Sequence, residues 1–342
     1  MRKKQIGIKC MAISLVMACS VLNFTGCSIG DNTPIIGNIT GLKSNQMFKI
    51  DELVCSKSEY MICLLDTAKQ YAKDFGGSVD WKNKISDHKT LEEFVKDKVK
   101  ESITVKYALA AMAKKNNVTL SDTEKTEVSK QASQYYKAMT DSEKDYTDAK
   151  EADVENLCEK YKLAEKVYSG ITEHVGDDIS EEDARVIKIQ YIKMDSSKTK
   201  VSKIKSTLNE VKSVVEGGYQ EFSREAKQYS VDSTVEKDIK KSEATLKYET
   251  EAFNLTKGKI SDIIEDGDSY YLVYCVNNYI KDKTTENKKD MVEKAKEAAF
   301  NEQYSKFIDG SKNQFNDKQW KKIELPSLYI NYLYYKLLSD FC

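Results

Sequence analysis

Between Pro34 and Pro326 the chain contains no proline. Proline lacks a backbone N–H, and its ring clashes with the preceding helical turn, so helix interiors and central strands exclude it. So long a proline-free stretch fits long helices and paired strands. Hydrophobic residues make up 40% of the 342, enough for one or two cores, and charged residues make up 32%. Lys and Arg number 54 against 55 for Asp and Glu. No excess of positive charge is available to form a basic stripe against a phosphate backbone, so a nucleic-acid partner is not expected.

Residues 51–176 follow a helical period. Thr90 and Glu93 form a capping box at the head of one helix, whose stripe is Leu91, Phe94, Val95, Val99, Ile103 and Ala110. Asn116-Asn117 suit its end. Ser121 and Glu124 open a second helix. A third turns Val154, Leu157, Cys158, Tyr161, Ala164, Val167 and Tyr168 inward. These stripes serve packing, or the holding of other apolar chains, and none carries a chemical site.

The period changes near residue 185. ARVIKIQYIKM alternates, with Ile187, Ile189 and Tyr191 on one face, and predicts a strand. A long helix follows with Val201, Ile204, Leu208, Val211 and Val215 inward, stopped by Gly217-Gly218. Two short helices, at EFSREAKQYS and 249–255, precede strand KISDIIE, a turn at EDGDS and strand YYLVYCVNN. TVEKDIKK, between the short helices, reads only as charge. After Lys281 a long helix resumes, carrying Met291, Ala295, Ala298, Ala299, Tyr304 and Phe307. The expected class is α+β, a helical domain interrupted by a mixed one.

At the N-terminus, Arg2, Lys3, Lys4 and Lys9 precede a short apolar core, Cys10–Phe24, too short to span a bilayer. The ending FTGC resembles the bacterial lipobox, with Phe24 where Leu is usual. That resemblance implies a signal peptide over 1–26 and a lipid on Cys27. Residues 1–26 hold basic but no acidic side chains, so the remainder is mildly acidic and would be held at an anionic membrane by lipid alone. Residues 27–45 form a polar linker able to reach about 60 Å. The tail 327–342, SLYINYLYYKLLSDFC, is rich in Tyr and Leu and is expected to pack on the helical domain or to lie on a membrane or client. Cys55, Cys63, Cys158, Cys275 and Cys342 are scattered without a CxxC and make a poor disulfide framework, and Cys55 and Cys63 read as buried apolar fillers. The acids of DDISEED lack the spacing of a calcium loop. No metal or cofactor is expected.

YQEFSREAKQYSVDS followed by EAFNLTKGKISDIIEDGDSYYLVY resembles the parvulin fold of peptidyl-prolyl isomerases, through Phe222, Ala226, Tyr229, Ser230 and Asp232, then Ala252, Phe253, Leu255, Gly258, Ile260 and Ser261. With the lipobox and the flanking helices, the whole is similar to the PrsA-type foldase lipoproteins, whose N-terminal part is a SurA-like chaperone domain. The resemblance implies a parvulin-like βαααβαβ-type domain over 181–281. Helical chaperone segments would fill 46–180 and 282–326, the latter returning to the same domain. It also implies a lipid-anchored place on the outer face of the cytoplasmic membrane, Gram-positive type, with unfolded or newly secreted polypeptides as partners. A homodimer is plausible on the same ground.

In that family two histidines on the sheet hydrogen-bond beneath the substrate. Here the corresponding residues are Tyr191 and Tyr271, and the only histidines, His88 and His174, lie outside the domain. Two tyrosine hydroxyls could form a similar pair. TVEKDIKK replaces the family's Gly-Gly-Asp-Leu-Gly segment. The resemblance makes Asp232, Tyr191 and Tyr271 the catalytic candidates, and Tyr248, Phe253 and Ala244 the substrate-binding wall. Isomerisation needs no covalent chemistry, only a proline pocket and a setting that favours the twisted amide over a barrier of about 18–20 kcal/mol. Two readings stay open: a foldase whose degenerate cleft still isomerises proline, and a holdase that binds unfolded chains without catalysis. A solute-binding lipoprotein would show βαβ repeats, and a hydrolase a GxSxG motif or a histidine triad; neither is present.

Overall fold

A computed structural model describes residues 41–75, 79–86 and 89–326. Cys27, His88, the tail 327–342 and most of the linker fall outside the described residues. The chain divides into two compact units, His174–Ala298 and the remainder.

The larger unit opens with strands where helix was expected. β1 (Gln46–Ile50) and β2 (Leu53–Ser56) pair antiparallel around Asp51, whose φ is +49°. Met47, Phe48 and Ile50 are fully buried. Ser56 then caps α1 (Lys57–Asp74): its hydroxyl accepts from the Glu59 amide at 3.1 Å, and the Glu59 carboxylate accepts from the Ser56 amide at 2.6 Å. A short hairpin of β3 (Lys84–Ser86) and β4 (Lys89–Thr90) leads into α2 (Leu91–Lys115), opened by the predicted Thr90–Glu93 capping box. Asn116 caps the C-terminus of α2, and Asn117 takes φ +56°. The expected stripe holds along the first half of α2, but from Ile103 to Ala113 every residue is buried. The second half is therefore a central helix, and it encloses Lys106, whose Nζ lies 4.3 Å from the centre of the Tyr161 ring. α3 (Asp122–Ala138), α4 (Asp141–Thr147) and α5 (Glu151–Thr172) complete the bundle, with Val154, Leu157, Cys158, Tyr161, Ala164 and Val167 buried as their spacing predicted.

The second unit is built on a four-stranded antiparallel sheet. In chain order it runs β5 (Val186–Asp195), α6 (Val201–Glu216), α7 (Phe222–Tyr229), β6 (Glu236–Lys240), a single 3₁₀ turn at Lys241–Glu243, α8 (Lys247–Ala252), β7 (Ile264–Asp266) and β8 (Ser269–Asn277). The sheet order is β6-β5-β8-β7. The order βααβαββ corrects the expected βαααβαβ at two places: TVEKDIKK contains an edge strand, β6, and a tight turn rather than a helix joins β7 to β8. Charge suits an edge, where unpaired backbone groups would otherwise invite another chain. Lys188 lies 3.0 Å from Glu236 across the β5–β6 ladder. KISDIIE is mostly irregular, with β7 confined to Ile264–Asp266 and a single bridge at Ile260–Tyr274.

Alternation along β5 splits this unit into two cores. Ile187, Ile189 and Tyr191 join Ile239, Tyr248, Ala252, Phe253, Ile264, Tyr271 and Val273 on the α8 face. Ile192 joins Ile204, Leu208, Val211, Phe222, Ala226 and Leu272 on the face covered by α6 and α7. Each buried Ile, Leu, Val or Phe among them contributes about 1.5–3 kcal/mol. Val201, expected inward at the head of α6, is exposed; it begins the helix, one turn before the first buried position.

Lys281–Asp309 forms a single helix, α9. Its end places Phe300, Tyr304, Phe307 and Ile308 in the core of the larger unit. β9 (Asn313–Phe315) pairs with β1, Phe315 opposite Phe48, and α10 (Asp317–Trp320) follows. Among the described residues no helix is long and apolar enough to cross a membrane.

Candidate functional site: a cleft closed by tyrosines

The six residues nominated from sequence meet on the α8 face of the small sheet. β5 presents Tyr191, and β8 presents Tyr271 two residues along from Val273, the direct cross-strand partner of Tyr191. α8 supplies Tyr248, and Phe253 caps its end. Ala244 packs at the margin of the same cluster. Asp232, half-buried, stands on the bend after α7, where its amide donates to the Ser230 hydroxyl at 3.3 Å.

The two sheet tyrosines do not form the hydroxyl pair that their positions suggested. The Tyr191 hydroxyl faces the Asp232 carboxylate at 3.0 Å and the Thr234 carbonyl at 2.8 Å. The ring of Tyr248 takes the place beside them both. It lies 4.2 Å from the Tyr271 ring and 11° from parallel, and 5.4 Å from the Tyr191 ring at 36°. Tyr191, Tyr248, Tyr271 and Phe253 are all buried. The side chains nominated for a proline pocket therefore pack on one another. Phe253 is further fixed by Arg185, whose Nη2 donates to the Phe253 carbonyl at 2.8 Å and whose guanidinium sits 5.2 Å from its ring centre.

One member of the site was not nominated from sequence. Lys237 stands opposite Ile189, and Ile239 opposite Ile187, so Lys237 shares the inner face of the sheet. Its Nζ donates to the Tyr248 hydroxyl at 2.5 Å and to Glu249 Oε1 at 2.6 Å. It also lies 4.8 Å from the Tyr248 ring centre and 5.6 Å from that of Tyr191. The available signal was Ile239 two positions on: in an alternating reading of EKDIK, an inward Ile239 carries Lys237 inward with it.

Electrostatics keep these groups in fixed protonation states. Burial first, and the Asp232 carboxylate second, hold the Tyr191 hydroxyl above the usual phenol range, so it remains a neutral donor. Burial pulls Lys237 down, but its bonds to Glu249 and Tyr248 outweigh this and leave it raised. Burial likewise pushes Glu249 up, and Lys237 with the Leu246 amide brings it net below the usual carboxylate range. The arrangement offers a cation, an anion and buried phenols, with no nucleophile–base pair. On the opposite face of the sheet an open pocket of about 920 Å³ lies between Glu216–Arg224 and Gly258–Ile260, floored by Tyr274.

Residues 187–277 match the family model described as Rotamase, PPIC-type PPIase domain. No curated protein matches the chain. Among solved structures the chain is similar to the peptidylprolyl isomerase PrsA of Bacillus cereus, at 17% identity and a TM-score of 0.31, over 84% of this chain and 96% of that one. It is similar to the foldase protein PrsA of Streptococcus pneumoniae at 17% identity and TM-score 0.30, over 68% and 93%. A Campylobacter jejuni structure, from work on the SurA-like chaperones PEB4 and Cj1289, stands at 9% identity and TM-score 0.27, over 79% and 98%. These likenesses are loose, and residues 187–277 are what tie the chain to a family. Over that segment the chain resembles a PPIC-type PPIase domain.

Proposed function

We propose that the chain is an extracytoplasmic foldase for secreted polypeptides that works by holding its clients, with a parvulin-type domain kept as framework. The supporting observation is the packing of Tyr248 on both Tyr191 and Tyr271, which we read as closing the space a proline ring would need. Lowering the rotation barrier requires a pocket that grips the ring and dipoles aimed at the twisted amide. A filled pocket grips nothing. In this reading the lipid on Cys27 tethers the chain to the outer face of the membrane, the linker lets the body reach emerging polypeptides, and two copies associate through the helical unit. The test is aggregation of an unfolded secreted protein, followed by light scattering. The expected result is suppression at near-stoichiometric amounts of the chain, without catalysis. Scattering unchanged by excess chain overturns the proposal.

One observation favours the catalytic reading. Asp232, Tyr191, Tyr271, Tyr248, Phe253 and Ala244 assemble around a single cluster, as a working parvulin cleft would require. In that reading Asp232 and the two sheet tyrosines act on the amide, and the other three hold the ring.

A further inference from the structure

β6 turns a lysine towards an apolar core, which is costly unless the charge is matched. Here every polar contact of Lys237 Nζ goes to α8. The Tyr248 hydroxyl lies at 2.5 Å and Glu249 at 2.6 Å, and the cation rests over the Tyr248 ring. Glu249 also accepts from the Thr245 and Leu246 amides, so it fixes the first turn of the helix as well as the lysine. α8 has six residues, too few for a helix to hold by itself. Its position depends on what it is tied to, and Lys237 is a tie that comes from a different strand.

We propose that Lys237 is a latch: it seats Tyr248 in the proline pocket of the parvulin-type cleft, and releasing it opens that pocket to a proline-bearing stretch of polypeptide. The other members of the cluster suit such an occupant. Ile239, Phe253 and Ala244 are apolar, and Tyr271 presents the ring face on which Tyr248 now lies. A five-membered proline ring replaces a six-membered phenol on the same face. Lys237 acts through Tyr248 and is a positioning residue. The proposal rests on the closed-cleft reading above and names what keeps that cleft closed.

The test is binding of an Ala-Phe-Pro-Phe peptide to the chain, titrated by NMR, for wild type, Tyr248→Ala, Lys237→Met and Lys237→Arg. Wild type is expected to bind weakly. Tyr248→Ala empties the pocket directly, and Lys237→Met frees the ring; each is expected to tighten binding by about tenfold, the size of a lost charge-assisted hydrogen bond. Lys237→Arg keeps a cation and its donors and is expected to stay closed. A lysine that merely stabilised the fold would lose binding on removal, not gain it, and thermal melting shows that each variant is folded. Tight binding by Tyr248→Ala with Lys237→Met unchanged overturns the latch. Unchanged binding by both, or wild type binding as tightly as either, overturns the pocket as well. Failure of these variants leaves the aggregation result untouched, and failure to suppress aggregation leaves the latch untouched.

Discussion

Tyr248 lies flat on Tyr271, ring centres 4.2 Å apart and planes 11° from parallel. Such a pair is worth about 0.5–1.5 kcal/mol beyond the area it buries. At position 271 the ring is expected to contribute more than its hydroxyl. Tyr271→Phe is expected to cost under about 1 kcal/mol, and Tyr271→Ala about 3–5 kcal/mol, by denaturant unfolding. Equal costs would shift the weight to the hydroxyl.

In the larger unit, Lys160 Nζ lies 2.6 Å from Glu59 Oε1, with side-chain exposures of 15% and 4%. Glu59 is also the capping-box carboxylate of α1. Lys160→Met strands that carboxylate and is expected to cost about 3–5 kcal/mol. Adding Glu59→Gln keeps an acceptor for the cap and is expected to recover most of the loss. Additive costs in the double variant would show that the two side chains are not coupled.

Asp66 supplies a pH dependence of unusual sign. It is buried on α1, its Oδ1 accepts from the Tyr135 hydroxyl at 2.8 Å, and Lys69 and Glu143 stand nearby. Burial, which outweighs Tyr135 and Lys69, pushes its carboxyl from 3.8 up to about 6. The folded state therefore holds this proton more tightly than the unfolded chain. The stability it contributes is complete below pH ~4 and fades as pH rises through ~6, by about 3 kcal/mol in all. Unfolding midpoints of wild type and Asp66→Asn, compared from pH 4 to 7, are expected to diverge by that amount, with wild type losing ground as pH rises. Parallel profiles would contradict it.

The two glycines ending α6 are not equivalent. Gly218 has φ +75° and open space around it, so Gly218→Ala is expected to cost about 1 kcal/mol in backbone strain. Gly217 has ordinary dihedrals, and a Cβ there meets the Tyr219 ring at 2.6 Å. Tyr219 is 80% exposed and can swing aside. Gly217→Ala is expected to be near neutral in a thermal melt.

Much of this fold was legible because local signals agreed. The Thr90–Glu93 and Ser121–Glu124 boxes, the alternation of Ile187, Ile189 and Tyr191, and Gly217-Gly218 each appear where their chemistry placed them. The β1–β2 hairpin was missed because its third strand, β9, comes from more than 250 residues away, and two strands of four or five residues give little periodicity alone. β6 was missed because an edge strand is allowed to look like a charged loop. With β6 went Lys237, whose inward position exists only once the strand is recognised. The six residues nominated by likeness to parvulins lie close together, but their mutual arrangement was not legible. Tyr248 stacks on Tyr271, and the cation that meets its hydroxyl, Lys237, comes from the strand that sequence did not reveal.

The most direct measurement is the rate of prolyl isomerisation in an Ala-Phe-Pro-Phe peptide with the intact chain added, beside Asp232→Ala. With Tyr248 seated on Tyr271, the closed cleft predicts the uncatalysed rate for both proteins, under conditions where the chain restrains aggregation of an unfolded client. A wild-type rate clearly above background that falls in Asp232→Ala would contradict it, and would make the tyrosine-lined cleft a working isomerase site.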